Sequence, residues 1–487
     1  MSLASAISNA MSGITTASRL TEVAASNIAN AANPAYARRE AALSSRIFSG
    51  TGGGVQIDGI DRVISLQAVA DRRSASAQLG ADQLRSGFLG KMEEAIGLPG
   101  DPGALTTALA QLKASIVTAT ANPTSKVTLD RIVDSAKTLS GKINDLANTV
   151  QDERSAVDAD IGRQIDLLND RLHKIAEINK KIVGQKAQNG DATGLIEQRQ
   201  IMIDEISQII PLKEVSRDNG RISLFSQSGA ALLDGTVPVT FGFKPAGQMN
   251  AHMVKGTPLV SDLLIDGEPA DEGQYALLQG GKLVASFELR DTIAPHVQNQ
   301  LDGLAAELYS VFADPQIDPT NASGGHGLFT DTGGDFDPAN LTGLSARISV
   351  AQQVDHHDTG ESYRIRDGIY ATAQGAPGNT QILEKLSDAF DTFHAPATPV
   401  MGSGSSNLTT YFATFVSEIG QKSFAAEKAT TQTVAYYGEM DNKVRAFGTD
   451  SDVEVQKILD LQTAYAANAK VIQAASDMMN IILGLRS

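Results

Sequence analysis

Asn27-Ile28-Ala29-Asn30-Ala31-Ala32-Asn33-Pro34-Ala35-Tyr36 stands at the end of a long helical pattern and carries the Asn and Pro residues that punctuate helices. Upstream of it, Leu3, Ile7, Ala10, Ile14, Ala17, Thr21, Ala24, Ile28 and Ala31 recur at alternating steps of four and three. That is the a/d pattern of a helix packed along its whole length. At the opposite end of the chain the same steps join Ile458, Leu461, Tyr465, Asn468, Ile472, Ala475, Met479 and Ile482. Each pattern predicts a helix of about thirty residues, on the order of 45 Å long.

The face opposite the first seam is unusual. From Met1 to Pro34 the only charged residues are Arg19 and Glu22, and the rest of that face is Ser, Thr, Asn and Ala. Small uncharged side chains let another backbone approach closely and do little to hold a helix in water. Two readings follow: an ordinary antiparallel pair of terminal helices within one chain, or a helix that takes neighbours on several sides, as in an assembly subunit. Ser451-Asp452-Val453-Glu454 reads as a capping box opening the C-terminal helix, and Asn468 on its seam is a residue type that fixes register.

These residues carry a family resemblance. Asn27-Ile28-Ala29-Asn30 followed by Pro34 and Tyr36 resembles the N-terminal signature of the bacterial flagellar axial proteins of rod, hook and hook–filament junction, Asn-Ile-Ala-Asn-x-x-Thr-Pro-Gly-Tyr. Leu461-Gln462-Thr463-Ala464-Tyr465-Ala466-Ala467-Asn468-Ala469-Lys470-Val471-Ile472 resembles the matching C-terminal helix. Asn33 replaces the usual Thr and Ala35 the usual Gly, and Pro34-Ala35 favours a type I turn over type II. Leu195 to Ser207, with Glu197-Gln198-Arg199, is similar to a segment of the hook–filament junction members, with Glu197 where Asp is usual. Gly280-Gly281-Lys282-Leu283 leading to Arg290-Asp291 resembles a further element of that branch.

Composition agrees with an exported structural protein. The length of 487 residues corresponds to about three domains. There are no cysteines and no tryptophans, which removes disulfides, thiolate metal sites and Cys nucleophiles. A formal charge of −16 argues against nucleic acid or an anionic membrane surface as partner. No run of eighteen apolar residues could span a bilayer. The N-terminus lacks a basic region followed by an apolar one, so export without a cleaved signal is expected. The resemblance implies the flagellar type III route.

The interior alternates between helical and strand-rich blocks. Residues 50–54 read as a Gly-rich turn and Val55 to Ile60 as a short strand. Helix is predicted from near Arg62, then, after the break at Leu98 to Gly103, through Ala119. Asn122-Pro123 reads as the cap of the longest helix, whose stripe is Ile161, Ile165, Leu168, Leu172, Ile175 and Ile182, with Gly162 marking a bend or a close contact. A helix from about Gly194 to Ile210 follows, with Ile196, Ile203 and Ile206 as core and Arg199 and Glu205 solvated. From Leu212 to Leu283 the period falls to two, and Asp218-Asn219-Gly220 signals a hairpin. Leu301, Leu304, Leu308 and Val311 belong to another helix, residues 314–406 are loop-rich, and helix resumes at Tyr411.

Candidate chemistry is thin. Asp355, His356, His357 and Asp358 are metal-ligating types, but adjacent histidines on a strand face opposite ways, so a solvated loop is expected. Asp331, Asp335 and Asp337 lack the spacing and terminal Glu of a calcium loop. His326 shows no nucleophile or carboxylate partner, Gly402-Ser403-Gly404 is a linker, and no Gly-x-Ser-x-Gly elbow occurs. No catalytic residue, cofactor or metal is assigned.

The expected fold class is mainly α with β-rich segments (α+β), multidomain. Residues 1–34 and 451–487 form a terminal coiled-coil domain. Residues 35–313 and 407–450 form a helical middle domain, β-rich at about 212–283, and 314–406 form a small outer insert. The resemblance implies a non-enzymatic subunit of the hook–filament junction that polymerises through its end helices. The interaction residues are Leu3, Ile7, Ile14, Asn27, Ile28, Asn30, Pro34, Tyr36, Ile458, Leu461, Tyr465, Asn468, Ile472, Met479 and Ile482. Its implied partners are further copies of itself, the hook protein, hook-associated protein 3 and an export chaperone at the C-terminal helix. The alternatives are a hook or rod protein, disfavoured by the Gln198-Arg199 segment, and an exported peptidoglycan-acting enzyme, disfavoured by the lack of a paired-carboxylate motif.

Overall fold

The computed structural model describes residues 3–33, 36–48, 51–188, 190–322 and 324–484. Pro34 and Ala35 lie outside them, and with them the type I turn expected from their sequence. The chain opens with helix α1 (Leu3–Ala29) and an antiparallel hairpin, β1 (Arg39–Phe48) with β2 (Thr51–Arg62). Four helices follow: α2 (Leu66–Ile96), α3 (Leu105–Ala121), α4 (Lys126–Ala187) and α5 (Thr193–Ser207). Then come β3 (Leu212–Ser216), β4 (Ile222–Ser226), β5 (Ala231–Asp234) and β6 (Val237–Pro238) in one antiparallel sheet. A smaller sheet joins β7 (Phe241–Gly242), β8 (Leu264–Ile265) and β9 (Glu268–Pro269). Helices α6 (Glu272–Leu277), α7 (Lys282–Glu288) and α8 (Ala294–Phe312) come next, a π turn at Leu289–Ile293 joining the last two. The loop-rich stretch holds β10 (Phe329–Asp331), α9 (Leu344–Arg347), β11 (Ile348–Val350), α10 (Arg364–Asp367) and α11 (Gln381–Ala389). The chain closes with α12 (Leu408–Arg445) and α13 (Ser451–Gly484).

The expected class, mainly helical with small antiparallel sheets, is the observed one. The core is built on α4, 62 residues long, whose predicted stripe from Ile161 to Ile182 is fully buried. Of the two readings of Gly162, the close contact is observed: a Cβ there would lie 2.8 Å from Pro245 Cγ, so the residue admits a crossing loop. The hairpin at Asp218-Asn219-Gly220 forms as read, with Asn219 at φ 59° and Gly220 at φ 77°. The Arg-Asp element marks a buried ionic knot in which Arg290, wholly buried between Phe243 and Phe287, donates to Asp158 of α4 at 2.8 Å. Arg154 of α4 then donates to the carbonyl of Arg290 at 3.0 Å. Buried residues of the stretch 314–406, among them Phe329, Ile348, Leu383 and Phe390, continue the same apolar cluster as α3, α4 and α8.

Four local expectations are corrected. The Gly-rich stretch from Thr51 is strand, not turn: it pairs with β1, a strand whose polar, weakly alternating sequence hid it. The long helix starts at Lys126 after Ser125, because Asn122 closes α3 and Pro123 lies in the turn between them. At α13 the side chain of Asp450, not Ser451, caps the helix, accepting the N–H groups of Asp452 and Val453 at 3.0 and 3.3 Å. Arg199 is buried, 4% exposed, rather than solvated. It donates to Asn179 Oδ1 at 2.8 Å and to the carbonyl of Gly220 at 2.9 Å, linking α5 to α4 and the hairpin.

Candidate functional site

The two terminal helices pair antiparallel: Asn468 of α13 packs on Gly13 of α1, where a Cβ would stand 2.7 Å from its amide nitrogen. The seam is lined by alanine where it closes. Ala10, Ala17 and Ala24 on α1 and Ala475 on α13 are buried, while Leu3, Ile7, Ile14, Ile28, Ile458, Leu461, Asn468 and Ile472 are half-buried. Tyr465, Met479 and Ile482 are exposed, at 47%, 39% and 57%. No dry apolar contact therefore surrounds Ile472 within one chain, because small side chains leave the larger ones at the rim of the pair. The opposite side of α1 lies on the β1–β2 hairpin, where Ser12 Oγ accepts the N–H of Val55 at 3.2 Å and Gly54, at φ +100°, lets the strand approach.

The motif residues converge at the base of this pair. Asn27 is wholly buried, and its amide uses both ends. Oδ1 accepts the N–H of Arg39 at 2.9 Å and the hydroxyl of Tyr36 at 2.8 Å. Nδ2 donates to the carbonyl of Arg39 at 3.0 Å and to Glu454 Oε2 at 3.2 Å. One side chain thus binds the end of α1, the start of β1 and the start of α13. Glu454, 1% exposed, is a charge that burial would penalise if unpaired. Lys457 meets it at 2.8 Å and Arg38 at 3.9 Å. Asn30 donates to the carbonyl of Ser26 at 2.9 Å and so closes the end of its own helix.

From this node the contacts run into the helical body. The Arg39 guanidinium lies over the Tyr36 ring at 5.0 Å and donates to both carboxylate oxygens of Glu197 on α5, at 3.1 and 3.2 Å. Arg72 and Arg73 of α2 hold Asp204 of α5, and Arg72 also reaches Asp441 of α12 at 3.6 Å. A cleft lined by Asn30, Tyr36, Arg62, Arg72, Asp441 and Phe447 opens beside them. Burial pushes the Arg62 and Arg199 guanidinium pKa values below the ordinary arginine value, a pull that Glu197 and Glu214 oppose at Arg62 and Glu214 at Arg199. Arg39, Glu197 and Glu454 were not singled out for this joint from sequence, since each reaches a partner far along the chain.

Helix α13 leaves several large apolar side chains uncovered. Val455, Leu459, Val471, Met478, Ile481 and Leu483 are between 46% and 64% exposed, with Met11 of α1 at 57% and Phe424 of α12 at 69%. None of these belongs to the predicted seam. They are the residues between its steps, and they give α13 apolar surface on more than one side.

The remaining candidates resolve into structural pairs, with one exception. His326 has a carboxylate partner after all: Asp335 lies 2.8 Å from its Nδ1, and that contact holds the Asp335 carboxyl below the ordinary carboxylate range. Asp331 accepts from Arg347 at 2.9 Å, and Asp337 caps a short turn at Ala339, so the three aspartates point to different tasks. His356 and His357, however, do not face opposite ways. They sit in a turn rather than a strand, and both rings face Asp134 of α4.

A sequence profile described as the flagellar hook-associated protein FlgK helical domain matches residues 89–336, and one for the flagellar basal body rod FlgEFG protein C-terminal region matches residues 444–485. The flagellar hook-associated protein 1 of Bacillus subtilis (strain 168) is 20% identical over 491 residues, covering 94% of this chain and 94% of that protein. That of Escherichia coli (strain K12) is 21% identical over 558 residues, covering 99% and 100%. The solved structure of the flagellar hook junction protein FlgK from Burkholderia pseudomallei is 20% identical and covers 54% of this chain and 46% of that chain, with a TM-score of 0.42.

Proposed function

We propose, for a chain that belongs to the flagellar hook-associated protein FlgK family, that it is a non-enzymatic structural subunit of the bacterial flagellum, joining hook to filament. The observation that carries this reading is the set of large apolar side chains that α13 leaves exposed on more than one side between Leu459 and Leu483, on a helix pair tied together at its base by Asn27. Exposed apolar side chains spread along a helix in this way are suited to burial against further copies. In this reading α1 and α13 form the inner tube of an axial assembly, and the residues from Arg39 outward form the middle of its wall. The neighbours are further copies of the chain, the hook protein on one side and hook-associated protein 3 on the other. An export chaperone covers α13 before secretion. Among the described residues no helix is long and apolar enough to cross a membrane, in keeping with an axial location.

A deletion strain tests the proposal. It is expected to be non-motile, to build hooks of normal appearance in electron micrographs, and to shed filament protein into the medium. Truncated hooks, or filaments still attached, would point instead to a hook or rod role or to no axial role at all.

A further inference from the structure

Three ligand-type side chains meet where the loop-rich stretch crosses the first turns of α4. The His356 and His357 rings stack with centroids 4.0 Å apart and planes at 39°. Asp134 Oδ1 lies 2.9 Å from His357 Nε2 and 3.7 Å from His356 Nε2, and the three atoms that could bind an ion lie within 4.8 Å of one another. One helical turn earlier, Asp130 Oδ1 stands 3.9 Å from His356 Nδ1, a buried nitrogen that makes no hydrogen bond. An ion pair with Asp134 would account for His357. It would not account for a second imidazole stacked on the first, aimed at the same carboxylate oxygen, with its other nitrogen unpaired.

We propose that Asp134, His356 and His357 bind a divalent transition-metal ion of the zinc class, with Asp130 behind His356 as an outer carboxylate. At metal–ligand distances of about 2.0–2.2 Å, the ligand atoms of a tetrahedral site stand roughly 3.3 Å apart. The two separations from Asp134, 2.9 and 3.7 Å, bracket that value. Two imidazoles and one carboxylate suit zinc, nickel or cobalt and not calcium or magnesium, which take oxygen ligands. With three protein ligands and His357 on the surface, water completes the shell. Asp130 is placed to accept from Nδ1 of His356, as outer carboxylates do for metal-bound histidines, and is itself fixed by Ser362 Oγ at 2.6 Å and Lys126 at 2.8 Å. Asp355 is kept out of the site by Lys137 at 2.6 Å, and by accepting the N–H of His357 it shapes the turn. The bound ion would staple this turn to α4.

Titration of the full chain tests the site, with Zn2+ followed by calorimetry and Co2+ followed by visible absorption. One equivalent is expected to bind at micromolar concentration, Co2+ with the intense bands of tetrahedral coordination, and Zn2+ to raise the unfolding temperature. His357→Ala, at a surface position, should weaken binding about 100-fold and remove the temperature rise, whereas Asp130→Asn should weaken it about 10-fold. His356→Gln serves as the second ligand variant, with circular dichroism checking the fold of each. No saturable equivalent, or the same affinity in both His variants as in the parent chain, would mean an adventitious ion only and overturn the proposal.

Discussion

At the scale of single residues, Asn27 concentrates the most structure in one side chain. Its four hydrogen bonds meet at the foot of the helix pair, the one to Glu454 buried and the other three half-buried, so removing the amide strands several donors and acceptors at once. Asn27→Leu is expected to cost about 3 kcal/mol. In hydrogen exchange on the isolated subunit the loss should appear in α1 and α13, with the protection of α4 unchanged. Uniform loss throughout the chain, or none, would contradict this. Tyr36→Phe removes the hydroxyl's bond to Asn27 at 2.8 Å and its longer one with Ser26 Oγ at 3.3 Å and should cost about 1 kcal/mol, while Tyr36→Ala should leave the body folded and impair attachment at the hook tip. The importance of Asn27, Asn30 and Tyr36 was legible because they form a contiguous motif. The role of Arg199 was not, because an Arg among helical residues reads as solvated until the group that buries it is known, and Glu454, read as part of a capping box, meets a partner in Asn27 at the other end of the chain. The histidine pair was misread for a related reason: alternation of neighbouring side chains holds in a strand, and His356 and His357 lie in a turn.

Among the secondary-structure elements, those with strong period were recovered from sequence and those defined by partners were not. The α4 stripe and the β3–β4 hairpin announce themselves through apolar spacing and the Asn-Gly turn. Strand β1 is polar because one side of its hairpin lies on α1 and the other faces solvent, so its pattern depends on a contact no local window contains. Helix α8 carries a test of element-to-element tethering. Its Asp302, 1% exposed, accepts the N–H groups of Gly343 and Ser345 at 2.7 and 2.9 Å and so holds the start of α9. Burial pushes its pKa above the ordinary 3.8, against the pull of its hydrogen bonds from Ser345, Gly343 and Gln298. With the folded value above the unfolded one, the native state keeps a proton that the unfolded chain gives up. The contribution of this group is therefore greatest below 3.8 and declines as pH rises through its folded pKa. In urea unfolding as a function of pH, Asp302→Asn should lose that decline, and the difference between parent and variant should change across this window. A pH-independent difference would remove Asp302 from the account.

For the whole molecule, the terminal pair and the helical body are joined through polar contacts, and changes at the exposed apolar side chains of α13 should be nearly silent in the body. Leu459→Asp and Ile481→Asp, both at exposed positions, are expected to leave the unfolding temperature within about 2 °C and to abolish incorporation at the hook tip. Ile472→Asp, half-buried at the seam, should do the same to assembly while also loosening the pair. Measuring secreted protein separately from hook-bound protein distinguishes failure of assembly from failure of export. Variants incorporated normally would show that the exposed apolar side chains of α13 are not an assembly surface.

The length of α4 has a mechanical consequence. Its 62 residues extend about 93 Å. Its C-terminal end is anchored through Asn179 and Arg199 to α5, and through Glu197 to Arg39 beside the joint, while its N-terminal end carries the turn bearing His356 and His357. A rod held in this way is a lever arm. A tilt of one degree at the joint sweeps the far end through about 1.6 Å, half the length of a hydrogen bond. Angular changes at the joint too small to disturb the packing at the pivot would be magnified into displacements of ångström size at the far end of the helix.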